Sequence, residues 1–187
     1  MRPFLAALAV ALVLPAAALA AAFEVGPAVG QKVPALQAST TDGAATSVRQ
    51  LSGSKGLVLV FFRSAKWCPY CQKQLIQLRA AQGPLEQRGY RLAALSYDPT
   101  DVLIRFAAQR GVAYPLLSDN GSKTIDAFKL RDVRYKPESF AWGVPYASIF
   151  LLSPSGVVQA KLAEEDYKVR PTNEAVLAAV DALASRR

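Results

Sequence analysis

The chain has 187 residues, 52% of them apolar and 19% charged, which is typical of one globular domain and not of a disordered chain. Lys and Arg outnumber Asp and Glu by 22 to 14, but they are scattered along the chain, which argues against a nucleic-acid-binding protein. The absence of histidine excludes Ser-His-Asp and Cys-His nucleophile arrangements, and two cysteines alone do not complete a zinc site. No metal or other cofactor is therefore expected, and the cysteines form either a static disulfide or a redox pair.

The N-terminal residues 1–22 have the pattern of a secretory signal peptide. An apolar run from Phe4 to Leu14 is followed by small residues, which predict cleavage after Ala20 or Ala22. The alternative is an uncleaved membrane anchor, because the apolar stretch is nearly long enough to span a bilayer. Its many alanines and Pro15 favour cleavage. We therefore predict an exported protein, in the bacterial periplasm, without stable membrane insertion after cleavage, in a compartment where disulfides persist.

A single domain is expected over residues 23–187. Its turn-rich beginning has room for two short strands, near 33–37 and 46–48. The continuous apolar run at 57–62 is typical of a strand buried on both faces. From 69 to about 88, apolar residues recur at helical spacing, which predicts a helix that Gly83-Pro84 kinks or interrupts.

Strands and helices alternate in the second half of this domain. The predicted elements are a strand at 91–97, a helix at 102–110 started by the 98–101 turn and stopped by Gly111, a short extended segment at 114–117, a short helix at 122–128, hairpin strands at 146–153 and 157–162, and a last helix capped by Thr172. This order predicts an α/β fold with a central mixed sheet, parallel in its first half, flanked by helices on both faces. The irregular segment 129–143 is long for a connection and is a candidate binding surface.

Cys68 and Cys71 are the candidate catalytic residues. Cys68 follows a predicted buried strand and begins a predicted helix, where unpaired amides and the helix dipole favour a thiolate. Pro69 suits the first helical position, and Cys71 comes one turn later, within disulfide reach of Cys68. Such a small ring adds little chain-entropy stabilisation, which argues against a purely structural disulfide.

Three neighbours of this pair are candidate supporting residues. Arg63 and Lys66 bring positive charge that lowers the pKa of a nearby thiol. Trp67 either covers the edge of the core or forms a contact surface beside the reactive sulfur, because aromatic residues serve both uses.

The motif Trp67-Cys68-Pro69-Tyr70-Cys71 after an apolar strand resembles the active site of the thioredoxin superfamily, and its Pro-Tyr dipeptide is similar to that of glutaredoxins. The segments 95–98 and 114–119 resemble the sheet core of the AhpC/TSA redoxin branch, which is peroxiredoxin-like. The resemblance implies a thioredoxin-like fold and an antioxidant or disulfide-exchange role. It also adds Tyr70 to the supporting residues. Gly143-Val144-Pro145 is similar to the cis-proline loop that faces the cysteine pair and binds partner chains, so a cis Val144–Pro145 bond is expected.

Two departures from the family patterns bear on the reaction. Peroxiredoxins carry a Pro and a Thr or Ser at the places that Phe61 and Ala65 occupy here, so the hydroxyl that helps to position peroxide is missing. Thioredoxins bury an acid where Phe62 stands, so no carboxylate is available at that point to accept the proton of Cys71.

Three functions therefore stay open. The first is an exported thiol–disulfide oxidoreductase that uses the Cys68/Cys71 pair on protein disulfides, thiols or small thiols. The second is a peroxiredoxin-like thiol peroxidase, in which Cys68 attacks peroxide and Cys71 resolves the product. The third is a non-enzymatic binding module on a thioredoxin scaffold, because fold alone does not decide activity.

Overall fold

The computed structural model describes residues 23–185, so the predicted signal peptide lies outside the described residues. In chain order the elements are α1 (Val48–Leu51), β1 (Gly56–Phe61), α2 (Pro69–Gln87), β2 (Tyr90–Ser96), α3 (Thr100–Arg110), β3 (Leu116–Ser118), α4 (Lys123–Ala127), β4 (Ser148–Leu152), β5 (Val158–Ala163) and α5 (Asn173–Ala184). No helix within this part of the chain is both long and apolar enough to cross a membrane.

The five strands form one mixed sheet in the order β3-β2-β1-β4-β5. The strands β1, β2 and β3 pair in parallel, whereas β4 and β5 pair antiparallel with their neighbours. The predicted mixed sheet is confirmed. The wholly apolar strand β1 lies at its centre, as expected for a strand whose residues are all buried.

Alternate residues of β1 enter two hydrophobic cores on opposite faces of the sheet. Val58, Val60 and Phe62 pack in the core that contains apolar residues of α2, α3 and α5. Leu57, Leu59 and Phe61 pack in the other, with apolar residues of α1 and α4. Helices therefore flank both faces, which confirms the thioredoxin-like architecture.

The two strands predicted near the N-terminus are wrong. Residues 33–37 form no strand; their backbone is held instead by bonds such as Val33 N–H to the Gly156 carbonyl at 2.8 Å. Residues 46–48 lead into α1, because the Ser47 hydroxyl accepts the Gln50 N–H at 3.3 Å and caps a helical turn. The side-chain cap at Ser47 therefore decides the structure of this segment, because the strand propensity of residues 46–48 is weak.

The helix α2 continues through Pro84, so the predicted interruption at Gly83-Pro84 is wrong, whereas the alternative, a kink there, stays a prediction. Its buried face carries Leu78, Ala81 and Leu85 against the core, and this packing outweighs the hydrogen bond that the proline cannot donate. The helix α3 begins at Thr100, within the predicted 98–101 turn and two residues before the predicted helix. It stops at Gly111 as predicted, and the φ of 62° at this residue is the left-handed conformation that glycine tolerates.

Candidate functional site

The two cysteines form a disulfide at the junction between β1 and α2. Cys68 is the N-cap residue of α2, Pro69 is its first helical residue, and the Cys68 Sγ accepts the Cys71 backbone N–H at 3.2 Å. Both cysteines are buried, with exposed fractions of 1% and 0%. After reduction, the same amide and the helix dipole favour a thiolate on Cys68.

A buried carboxylate fixes the loop that carries Cys68. Asp98 is 4% exposed and accepts the Ser64 hydroxyl at 2.8 Å, the Ala65 N–H at 2.6 Å and the Ser96 hydroxyl at 3.0 Å. Burial raises the pKa of the Asp98 carboxyl, although these hydrogen bonds and the Lys66 charge oppose the rise. Asp98 belongs to the turn predicted to start α3, and its side chain also ties the end of β2 to the loop before the cysteines.

Arg63 lies almost fully buried in a cage of aromatic rings, with 2% of the residue exposed. Its guanidinium carbon is 4.0 Å from the ring centre of Tyr167, 4.9 Å from that of Tyr135 and 5.3 Å from that of Trp67. Its Nη2 also donates to the Tyr135 hydroxyl. These rings stabilise the buried charge through their negative faces.

A second arginine, Arg170, contacts the disulfide itself. It lies between β5 and α5, and its Nη2 donates to the Cys71 Sγ at 3.6 Å. Burial, and after it the charge of Arg63, lowers the pKa of Arg170 to about 10, so its guanidinium stays charged at neutral pH. A positive charge beside a sulfur favours the thiolate over the thiol.

Aromatic residues line both sides of the cysteine motif. The Trp67 ring packs edge-on against Phe140, which is 77% exposed and lies in the irregular segment 129–143, and its Nε1 donates to the Tyr97 hydroxyl at 3.0 Å. The partly exposed Tyr70 packs against Tyr167. Trp67 therefore both covers the core edge and contacts a segment predicted to be a binding surface.

The remaining predicted supporting residues are Lys66 and the pair Val144 and Pro145. Lys66 is exposed, and its charge acts on Asp98. Val144 and Pro145 are buried, and the bond between them is trans, so the expected cis bond is wrong. This stretch pairs with residues 130–132: the Val144 carbonyl accepts the Asp132 N–H at 2.9 Å, and a bridge joins Pro145 to Arg131. An extended trans backbone satisfies that pairing.

Sequence reasoning missed Asp98, Tyr135, Tyr167 and Arg170 as parts of the site. Tyr135 lies 72 residues from Arg63, and Arg170 lies 99 residues from Cys71. No local motif marks them. The available signal was weaker: Tyr135 lies in the irregular segment already predicted to shape a surface, and Tyr167 and Arg170 lie in the connection before the last helix.

Comparisons with known proteins find two kinds of relative. The thiol-disulfide oxidoreductase ResA of Bacillus anthracis is 24% identical over 141 residues, which cover 75% of this chain and 72% of the relative. A putative peroxiredoxin of Mycobacterium tuberculosis is 27% identical over 143 residues, covering 76% and 87% of the two chains. Among solved structures, peroxiredoxin Q of Xanthomonas campestris superposes with a TM-score of 0.64 at 28% identity, covering 79% of this chain and 90% of that one.

The family profile extends over most of the domain. It is that of the AhpC/TSA family, and it matches residues 29–161, from the segment before α1 to within β5. This range contains β1 to β4, most of β5 and the cysteine motif. The chain belongs to the AhpC/TSA family.

Proposed function

We propose that the protein is a thiol–disulfide oxidoreductase in which Cys68 attacks and Cys71 resolves. The observation that carries the proposal is the disulfide at the N-terminus of α2, with the Cys68 Sγ capping the helix and a guanidinium on the Cys71 Sγ. Membership of the AhpC/TSA family and the similarity to ResA support an oxidoreductase. The expected partners are proteins or small molecules that bear thiols or disulfides.

The reaction has two exchange steps. In the reduced protein, the Cys68 thiolate attacks a substrate disulfide, a mixed disulfide forms on Cys68, and the first substrate thiolate leaves. The Cys71 thiolate, stabilised by Arg170, then attacks the Cys68 Sγ and releases the second substrate thiolate. The protein becomes oxidised and the substrate gains two electrons, while the protons of the two cysteines end on the two released thiols.

A second candidate function is thiol peroxidase, which the similarity to a putative peroxiredoxin favours. Cys68 would then attack a peroxide oxygen and become a sulfenic acid as the other oxygen leaves, and Cys71 would condense with it to give the disulfide and water. The residues of the loop before Cys68 argue against the thiol peroxidase function. Ala65 carries no hydroxyl, and the Ser64 hydroxyl already donates to Asp98 and accepts the Lys66 N–H at 2.9 Å.

Mixing the reduced protein with each class of oxidant in a stopped-flow instrument tests the proposal. The tryptophan fluorescence, to which Trp67 and Trp142 both contribute, should report oxidation by a small disulfide at a rate much higher than that of a free thiol. Oxidation by hydrogen peroxide should match that of an ordinary thiolate, because no hydroxyl beside Cys68 orients the peroxide. The Cys68→Ser variant is the control for both. Peroxide oxidation orders of magnitude faster than a free thiol would assign the peroxidase function instead.

We further propose that the protein is exported to the bacterial periplasm, where an oxidised partner or substrate is available. The support is the sequence pattern of residues 1–22, together with a redox-active pair suited to an oxidising compartment. Mass spectrometry of the protein recovered from a periplasmic extract should show a chain beginning at Ala21 or Phe23. A full-length chain in the membrane fraction would contradict cleavage.

A further inference from the structure

Two arginine side chains, Arg170 on the Cys71 sulfur and Arg63 against the Trp67 ring, lack a negatively charged partner among the described residues. Among residues 23–185, the Arg63 Nε and Nη1 and the Arg170 Nε are buried without any hydrogen-bond partner. Neither arginine belongs to any of the five ion pairs in this part of the chain. Buried charged groups are usually paired, so unpaired guanidinium nitrogens in the interior call for an explanation.

Other arginines of this chain show the usual arrangement. Arg131 binds both carboxylate oxygens of Asp126 at 2.6 Å, and Arg134 binds both of Asp132 at 2.8 Å. Arg63 has instead a tyrosine hydroxyl and the faces of aromatic rings, which offset part of the cost of burying its charge. Among the described residues, the Nε and Nη1 of Arg63 are buried and make no hydrogen bond, so both are free donors whose fork matches a planar anion.

The two guanidiniums lie in one region of the molecule, because Arg63 packs 4.0 Å from the ring centre of Tyr167, and Arg170 follows Tyr167 closely in the chain. Consistent with this placement, the Arg63 charge lowers the pKa of Arg170, and the Asp166 charge opposes that effect. Arg170 is partly exposed, so an anion can approach the pair from its side. Its Nη2 lies 3.6 Å from the Cys71 Sγ, which places the positive charge directly beside the reacting sulfurs.

We propose that Arg63 and Arg170 form a subsite for a carboxylate carried by the substrate within a few bonds of its sulfur. The substrate class is then a small disulfide or thiol that bears a carboxylate. Arginine forks match carboxylates in plane and make paired, charge-assisted hydrogen bonds, and an anion here relieves the repulsion between the two guanidiniums. The inference rests on the proposed function, because it names the substrate of that same exchange reaction.

The subsite acts on the first exchange step without changing its chemistry. The carboxylate binds while the Cys68 thiolate attacks the nearer sulfur of the substrate disulfide. The mixed disulfide forms and one carboxylate-bearing thiolate leaves; Cys71 then closes the protein disulfide and releases the second. Two electrons pass from the cysteine pair to the substrate, and the two protons follow to the released thiols.

Two small disulfides of the same reactivity class test this subsite. Dithiodipropionate carries a carboxylate on each half, and hydroxyethyl disulfide carries a neutral hydroxyl. For each reductant, the measured quantity is its rate with dithiodipropionate divided by its rate with hydroxyethyl disulfide. We expect this ratio to be about tenfold larger for the reduced protein than for dithiothreitol, which is the effect of about one charge-assisted hydrogen bond. Because both rates depend equally on the thiolates, their ratio isolates the recognition of the carboxylate.

Three variants make the result specific. Arg63→Gln and Arg170→Gln should each remove the preference, whereas Arg131→Gln removes one positive charge from a paired arginine and should keep it. If Arg63→Gln does not fold, Arg170→Gln decides, because its side chain lies at the partly exposed end of the pair. A wild-type ratio equal to that of dithiothreitol, or one unchanged in both Gln variants, overturns the subsite while leaving disulfide exchange intact. A wild-type protein that reduces neither disulfide overturns the proposed function and the subsite with it.

Discussion

Replacing Cys68 with Ser should abolish disulfide exchange, with a loss of at least about a thousandfold, because the attacking sulfur is gone. Replacing Cys71 with Ser should have a different effect. Cys68 keeps its position at the N-terminus of α2, so the first exchange step proceeds and stops at a mixed disulfide. The two variants therefore separate the attacking cysteine from the resolving one.

An aromatic disulfide that releases a coloured thiolate measures this directly. The reduced wild-type protein should release two equivalents of the thiolate, because Cys71 displaces the second one. Cys71→Ser should release one equivalent and retain the other half on Cys68, detectable by mass spectrometry. The double variant Cys68→Ser with Cys71→Ser is the control and should release none.

The same measurement also shows whether the roles of the two cysteines are reversed. A Cys68→Ser variant that releases one equivalent, together with a Cys71→Ser variant that releases none, would make Cys71 the attacking residue. The Arg170 guanidinium on the Cys71 Sγ would then be the main source of thiolate stabilisation, and the helix N-terminus would be secondary.

Replacing Asp98 with Ala should lower the free energy of unfolding by about 3 kcal/mol, within the range for breaking a buried hydrogen-bond network. The substitution leaves the buried Ala65 N–H without its acceptor and frees the hydroxyls of Ser64 and Ser96. Because these groups hold the loop before Cys68, exchange activity should fall in the folded variant as well. Urea denaturation followed by far-ultraviolet circular dichroism measures the stability.

The control for this substitution is Asp101→Ala. Asp101 is also an aspartate near the start of α3, but it is exposed and forms only a surface pair with Arg105 at 2.8 Å. Its replacement should cost about 0.5 kcal/mol or less. Equal effects of the two substitutions would show that the Asp98 network does not stabilise the loop.

The pH dependence of the Asp98→Ala effect has a definite sign. Burial raises the pKa of this carboxyl above its ordinary value of 3.8. An acid whose pKa is raised by folding contributes stability that is fully present below its unfolded pKa and is lost as the pH rises through the folded pKa. The destabilisation caused by Asp98→Ala should therefore be larger below pH 3.8 than at neutral pH. A destabilisation that grows with rising pH would mean that the hydrogen bonds outweigh burial.

The central features of the fold followed from local sequence. The apolar run in β1 predicts a strand buried on both faces, because a strand without polar residues would otherwise expose an apolar face to water. Cys68, Pro69 and Cys71 directly after it predict a cysteine pair at a helix N-terminus, because proline and a capping side chain suit those positions. The local pattern was misleading where a side-chain cap decided, at Ser47, and where the packing of a helix face kept α2 from being interrupted at Pro84.

The charged surroundings of the pair were decided by tertiary structure. Arg63 was recognised because it is close to Cys68 in sequence, but its aromatic cage is assembled from loops far along the chain. Arg170 reaches Cys71 only because the connection after β5 passes over the start of α2. Asp98 reaches the loop before Cys68 because β1 and β2 are parallel neighbours whose carboxyl ends meet at one edge of the sheet. The sequence by itself thus determined the nucleophile and its scaffold, whereas long-range packing decided which charges surround the sulfurs, because such contacts leave no local periodicity.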